Sequence, residues 1–122
     1  MVQTVEDYIY KIKDVKIREI VILLHDCLLQ IEGIKSSINW GLPFYQRNYP
    51  IAYINVRKKG GVELCFWKGR ELTAIHPLVD MKGRKLIGGI VFTEIDYHQI
   101  EEMMLVLNDA IQLDEQPLKL KS

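Results

Sequence analysis

The chain has 122 residues, 48% of them hydrophobic and 26% charged. This is the size and composition of one folded domain that buries a core without disulfide staples, and it excludes a disordered or collagen-like chain. Sixteen basic residues balance sixteen acidic ones, so the basic excess of a nucleic-acid binder is missing.

The charge is unevenly spread. Residues 57 to 85 hold eight Lys/Arg against three Asp/Glu, and residues 86 to 122 hold two against seven. Facing or separately solvated surfaces account for such a pattern. An apolar run such as Ile20 to Leu24 is far short of a membrane span. Cys27 and Cys65 lie 38 positions apart, with no CxxC pair. With no secretory leader in the first thirty residues, the expected compartment is the reducing cytosol.

In chain order, Thr4 predicts a first helix, with Asp7 completing a capping box. Asp14 predicts the cap of a second. Its stripe is Ile17, Ile20, Val21, Leu24, Leu28 and Ile31, and Gly33 is its expected stop. Ile22, Leu23 and Leu29 make that stripe wider than one face, as in a helix packed on two sides or against a second copy of the chain. Residues 36 to 40 predict a short strand, followed by a turn at Gly41-Leu42-Pro43. Residues 50 to 57 and 62 to 67 predict a hairpin. A three-residue loop, Lys59-Gly60-Gly61, sets Val56 opposite Leu64 and Ile54 opposite Phe66 on an apolar face. Arg57 then faces Glu63, and Tyr53 faces Trp67, on the other.

Residues 68 to 85 read as a long connection with a helical turn near Arg70 to Ile75. A strand over residues 86 to 92 is interrupted by Gly88-Gly89, a pair expected at a bulge or a close backbone approach. Asp96 and Gln99 open the clearest helix, with Ile100, Met103, Met104, Leu107 and Ile111 as its stripe. Glu101, Glu102, Asp109 and Asp114 fall largely off it. The expected fold is α+β. Two N-terminal helices precede an antiparallel sheet of about four to five strands, and a long C-terminal helix packs on the sheet. One domain is expected over residues 4–113, with a loose tail over 114–122.

The sequence shows no assembled chemistry. His25, His76 and His98 are isolated, and no metal-ligand spacing or phosphate loop occurs. Cys27 is expected in the core, whereas Cys65, on the second face of the hairpin, is expected to be open. A catalytic Cys65 would need a base such as His76 beside it. Lys82, Arg84 and Lys85, next to the Gly88-Gly89 pair, form a basic run suited to binding an anion, although such a run is more often a solvated loop. The aromatic residues are the most suggestive feature: Trp40, Phe44, Tyr45, Tyr49 and Tyr53, with Phe66 and Trp67 across the hairpin. They make either the second half of a core or an aromatic-lined groove, with Arg57 or Arg70 as its polar anchor.

The Trp40-Gly41-Leu42-Pro43 turn, the Tyr8-Ile9 helix before the long apolar helix, and Lys82-Gly83-Arg84-Lys85 before the last strand and helix together resemble the YdhG-like family. These are small, largely uncharacterised bacterial domains, and the likeness covers about residues 4 to 113. The resemblance implies an α+β fold. Some members are described as frataxin-like iron chaperones, which implies exposed carboxylates and iron as cargo. Glu94, Asp96, Glu101 and Glu102 are the tightest acidic group available, although carboxylates there also complement a helix dipole.

The expected function is therefore a non-catalytic cytoplasmic binding domain with no cofactor. It would take an unknown small molecule or protein at Trp40, Tyr45, Tyr53, Arg57 and Trp67. Iron carriage is the alternative, and an enzyme using Cys65 or His76 is the third reading. No nucleic acid or membrane is expected as partner; a homodimer through the wide second helix is compatible with all three.

Overall fold

A computed structural model describes residues 4–116. Helix α1 (Val5–Tyr10) begins at Thr4, whose hydroxyl accepts from the Asp7 N–H at 3.1 Å while the Asp7 carboxylate accepts from the Thr4 N–H at 3.3 Å. Asp14 caps α2 (Val15–Leu29) by accepting from the Ile17 N–H. Both caps were legible as expected. Five strands follow: β1 (Lys35–Asn39), β2 (Leu42–Gln46), β3 (Pro50–Val56), β4 (Val62–Phe66) and β5 (Gly88–Phe92). A short helix α3 (Gly69–Thr73) separates the last two, and α4 (Tyr97–Glu115) closes the chain. The strands form one antiparallel sheet in sequence order. The architecture is α+β, with a long C-terminal helix as expected.

Side chains alternate across each strand, so the pairing divides the sheet into two faces. Tyr45, Ala52, Ile54, Val62, Leu64, Phe66, Ile90 and Phe92 are buried on one. They share a core with Val5 and Ile9 of α1, Ile20, Val21, Leu24 and Leu28 of α2, and Met103, Val106 and Leu107 of α4. The second face carries Phe44, Tyr53, Asn55, Glu63 and Cys65. No helix among the described residues is long and apolar enough to cross a membrane.

Several local expectations are corrected. The first turn is Trp40-Gly41, with φ of 52° and 74°, and Asn39 pairs directly with Leu42. Positive φ at both central residues is the type I′ geometry, whose twist suits a two-residue hairpin. Leu42 and Pro43 are therefore the first residues of β2, a strand the sequence reading left out.

In the β3–β4 hairpin the faces are as expected but the partners shift by two. Val56 faces Val62, Ile54 faces Leu64, Tyr53 faces Cys65 and Asn55 faces Glu63. The loop still has three residues and ends in glycine, but it is Lys58-Lys59-Gly60. The Arg57 N–H donates to the Gly61 carbonyl at 3.0 Å, and Gly60 takes φ 103°. This register places Val62 inside the strand, where it is wholly buried.

The strand before α4 starts at Gly88, and the glycine pair marks a close approach rather than a bulge. A Cβ on Gly69 would overlap the Gly88 backbone, and one on Gly89 would overlap the Glu63 carboxylate. Met104 is exposed, because Met103, Val106, Leu107 and Ala110 form the inner face of α4. Asp96 caps α4 by accepting from the His98 and Gln99 N–H groups, but the Gln99 side chain donates to the Val91 carbonyl instead of closing a box. Helix α4 also runs two residues into the expected tail. Asp114 is 2% exposed and accepts from the N–H groups of Asn48 and Tyr49. Pro117 and the rest of that tail lie outside the described residues.

Candidate functional site

Two tight turns and the long connection shape the second face of the sheet. The chain between α3 and β5 runs along the outer edge of β5, where Asp80 and Gly89 exchange backbone hydrogen bonds of 2.8 and 2.9 Å. Lys82 and Gly83 both have positive φ, and the Arg84 N–H donates to the Met81 carbonyl at 2.8 Å. This turn aims Arg84 at β4, where its guanidinium donates to the Glu63 carboxylate at 2.8 Å. The basic run is thus partly spent on an internal ion pair. Glu63 is 4% exposed.

Beyond that pair the face opens into an apolar cavity of about 310 Å³, lined by Trp40, Leu42, Phe44, Tyr53, Trp67, Leu86 and Ile87. Phe44 and Tyr53 sit opposite each other on β2 and β3, their rings 4.8 Å apart and 12° from parallel. Trp40 and Trp67 each meet Phe44 edge-on, at 5.4 and 6.2 Å. Edge-to-face and offset stacking both fit the aromatic quadrupole and hold the rings in place. The Trp40 ring is held at the rim by the β1–β2 turn, and Leu86 and Ile87 come from the connection.

Three of the five expected ligand-binding residues, Trp40, Tyr53 and Trp67, meet at this cavity. Tyr45 does not. It points to the helix side, wholly buried, with its hydroxyl 2.7 Å from His25 Nδ1. Arg57 sits at the β3–β4 turn and Arg70 on α3, and neither lines the cavity. Leu42, Leu86 and Ile87 were missed as site residues, and Phe44, expected in the aromatic cluster, joins the lining without having been one of the five. The period of two places Leu42 and Phe44 on the face of Tyr53 once β2 is recognised, so that signal was present.

Cys65 is 1% exposed, contrary to expectation. Burial first, and then the Glu63 carboxylate, push its thiol up to about 12. Burial and the adjacent Cys65 push the Tyr53 phenol up to about 12 as well. Cys65 is therefore a protonated thiol at neutral pH, and the thiolate a nucleophile needs is suppressed. His76 is not its base: His76 Nε2 lies 2.6 Å from the Asp109 carboxylate of α4, which packs on the other side of the sheet.

The four carboxylates proposed for iron lie at the start of α4. Asp96 is occupied as the helix cap, and Glu102 is 3.9 Å from His98. Among the described residues no group of three or more His, Cys, Asp or Glu is close enough together to hold a metal ion. Glu94, Asp96, Glu101 and Glu102 do not gather around a common point.

No family model matches the sequence, and no curated protein matches it either. Among solved structures, the crystal structure of YdhG, a DUF1801-family protein from Bacillus subtilis, is similar. It is 18% identical, with a TM-score of 0.60, and the match covers 97% of this chain and 98% of that one. A likeness at that identity shows the fold: the α+β architecture implied by the Trp40-Gly41-Leu42-Pro43 resemblance is the one the described residues adopt.

Proposed function

We propose that the chain is a non-catalytic binding protein, and that the cavity between the Trp40 turn and Trp67 takes a small, flat, largely apolar ligand. One observation carries this reading. Trp40 is 81% exposed and is held at φ 52° beside a cavity walled by three other aromatic rings. A bulky residue in the left-handed region costs about 1–2 kcal/mol, and a large exposed indole forgoes its burial. A fold keeps both costs where the side chain does something else, and such strain concentrates at binding sites. The lining supports a ligand recognised by stacking, because it contains no charged side chain. The protonated state of Cys65 supports a role without covalent chemistry. Both cysteines are unpaired, which supports placing the protein in a reducing compartment, the cytosol.

The test is a thermal-shift screen with planar aromatic and heteroaromatic compounds. A ligand at one hundred times its Kd stabilises by about 2.7 kcal/mol, which moves Tm by several degrees. The shift should vanish in Tyr53→Ala and persist in Arg57→Ala. A library of such compounds that moves Tm in neither protein contradicts the proposal.

A further inference from the structure

The Arg84 guanidinium is not fully used by the fold. Its Nε donates to the Met81 carbonyl at 3.1 Å, and its Nη2 donates to the Glu63 carboxylate at 2.8 Å and to the Asp80 carbonyl at 3.4 Å. Nη1 has no partner among the described residues, and the side chain is 32% exposed. That nitrogen carries donors and no acceptor. Two observations set the group beside the aromatic cavity. Leu86 and Ile87, which wall the cavity, follow Arg84 closely in the chain. Tyr53 is in the lining, and although burial dominates its phenol and pushes it up, Arg84 is near enough to act the opposite way.

The charge around this edge favours one sign. The five strands contain a single carboxylate, that of Glu63, which is 4% exposed and already paired with Arg84. Residues 74 to 87 add one more, Asp80, whose carboxylate accepts from the Lys82 N–H at 2.9 Å. Against these stand Lys82 and Lys85, both exposed, and no lysine takes part in an ion pair among the described residues. Cations left without counter-charge beside an apolar wall attract an anion more strongly than the same cations in open water.

The geometry points to an aromatic acid as the ligand of this cavity. Its flat ring stacks among the aromatic side chains, and its carboxylate accepts from Arg84 Nη1 at the edge, where Lys82 and Lys85 add to the attraction. This rests on the cavity being a ligand site and adds the sign of the ligand's charge. The lining selects the ring, and Arg84 selects the acid. Glu63 holds the guanidinium in place, so the planar donor group is oriented before the ligand arrives, which suits a carboxylate.

Calorimetric titration with three compounds of one shape tests this: naphthoate, naphthamide and naphthylmethylammonium. The naphthoate should bind about tenfold tighter than the amide, and the ammonium should bind most weakly. Glu63→Gln combined with Arg84→Gln replaces the ion pair by a neutral one and, in a protein shown by its Tm to be folded, should lose most of that advantage. Lys82→Gln combined with Lys85→Gln, at exposed positions, should weaken the naphthoate about threefold at low salt and leave the amide unchanged. Equal binding of naphthoate and naphthamide overturns the inference and leaves the cavity reading standing. An advantage that survives in both double variants overturns it too. Failure of all three compounds to bind also overturns it, whereas the cavity reading falls only with the wider screen of flat compounds.

Discussion

Glu63 and Arg84 form an ion pair across the second face of the sheet: the guanidinium donates to the carboxylate at 2.8 Å, and the Glu63 side chain is 5% exposed. Removing only the cation leaves a buried carboxylate without its partner. Arg84→Ala should therefore cost about 2–4 kcal/mol, somewhat less than a fully buried pair because water reaches the arginine side. Urea unfolding measures it, and a loss below 0.5 kcal/mol, the ordinary surface scale, would show the pair to be dispensable.

Asp114 holds the β2–β3 turn to the end of α4. Its carboxylate accepts from the Tyr49 N–H at 2.8 Å and from the Asn48 side chain at 3.1 Å, and Arg47 lies 3.5 Å away. Asp114→Ala strands several buried donors and should destabilise by about 2–4 kcal/mol. A chain ending at residue 113 should be at least as unstable. Unchanged denaturant midpoints in both would contradict this.

Trp40 pulls stability and binding apart. Trp40→Asn gives the turn an Asn-Gly pair, the preferred type I′ sequence, and relieves an indole from positive φ. The variant should gain about 0.5–1 kcal/mol and bind the cavity ligands more weakly. A destabilised Trp40→Asn protein would mean that the indole supports the fold by packing on Phe44.

High pH should expose the buried thiol. Cys65 titrates at about 12 when folded, against an ordinary thiol value of 9.0. Between those values the unfolded chain gives up a proton that the folded one keeps, so stability falls as pH rises through that window and is full below it. Cys65→Ala should flatten the fall in Tm above pH 9.0. In the native protein at neutral pH, Cys65 should also resist a thiol reagent that modifies it after unfolding.

Much of the fold could be read from residues alone, because caps and periodicity are local. Thr4, Asp14 and Asp96 start the helices as expected, and the division of β3 and β4 into an aliphatic and an aromatic face is correct. What escaped was decided by distant contacts. The hairpin register moved by two residues because Val62 is buried by the core and Glu63 meets Arg84, whose approach depends on a turn twenty residues later. Cys65 and Asp114 were misplaced for the same reason: the connection and the β2–β3 turn that cover them are remote in sequence. Of the expected site, Trp40, Tyr53 and Trp67 converge. Tyr45 was lost when β2, which assigns alternate residues to opposite faces, went unrecognised.

The cavity can be interrogated through its own indoles. The chain has two tryptophans, Trp40 and Trp67, and both line it, so a ¹⁵N-labelled sample gives two indole N–H signals to follow. Titration with a compound that raises Tm should move both signals along one saturation curve, while amides on the outer face of α2 stay in place. Stabilising compounds that leave both indoles unmoved would contradict a ligand site at this cavity.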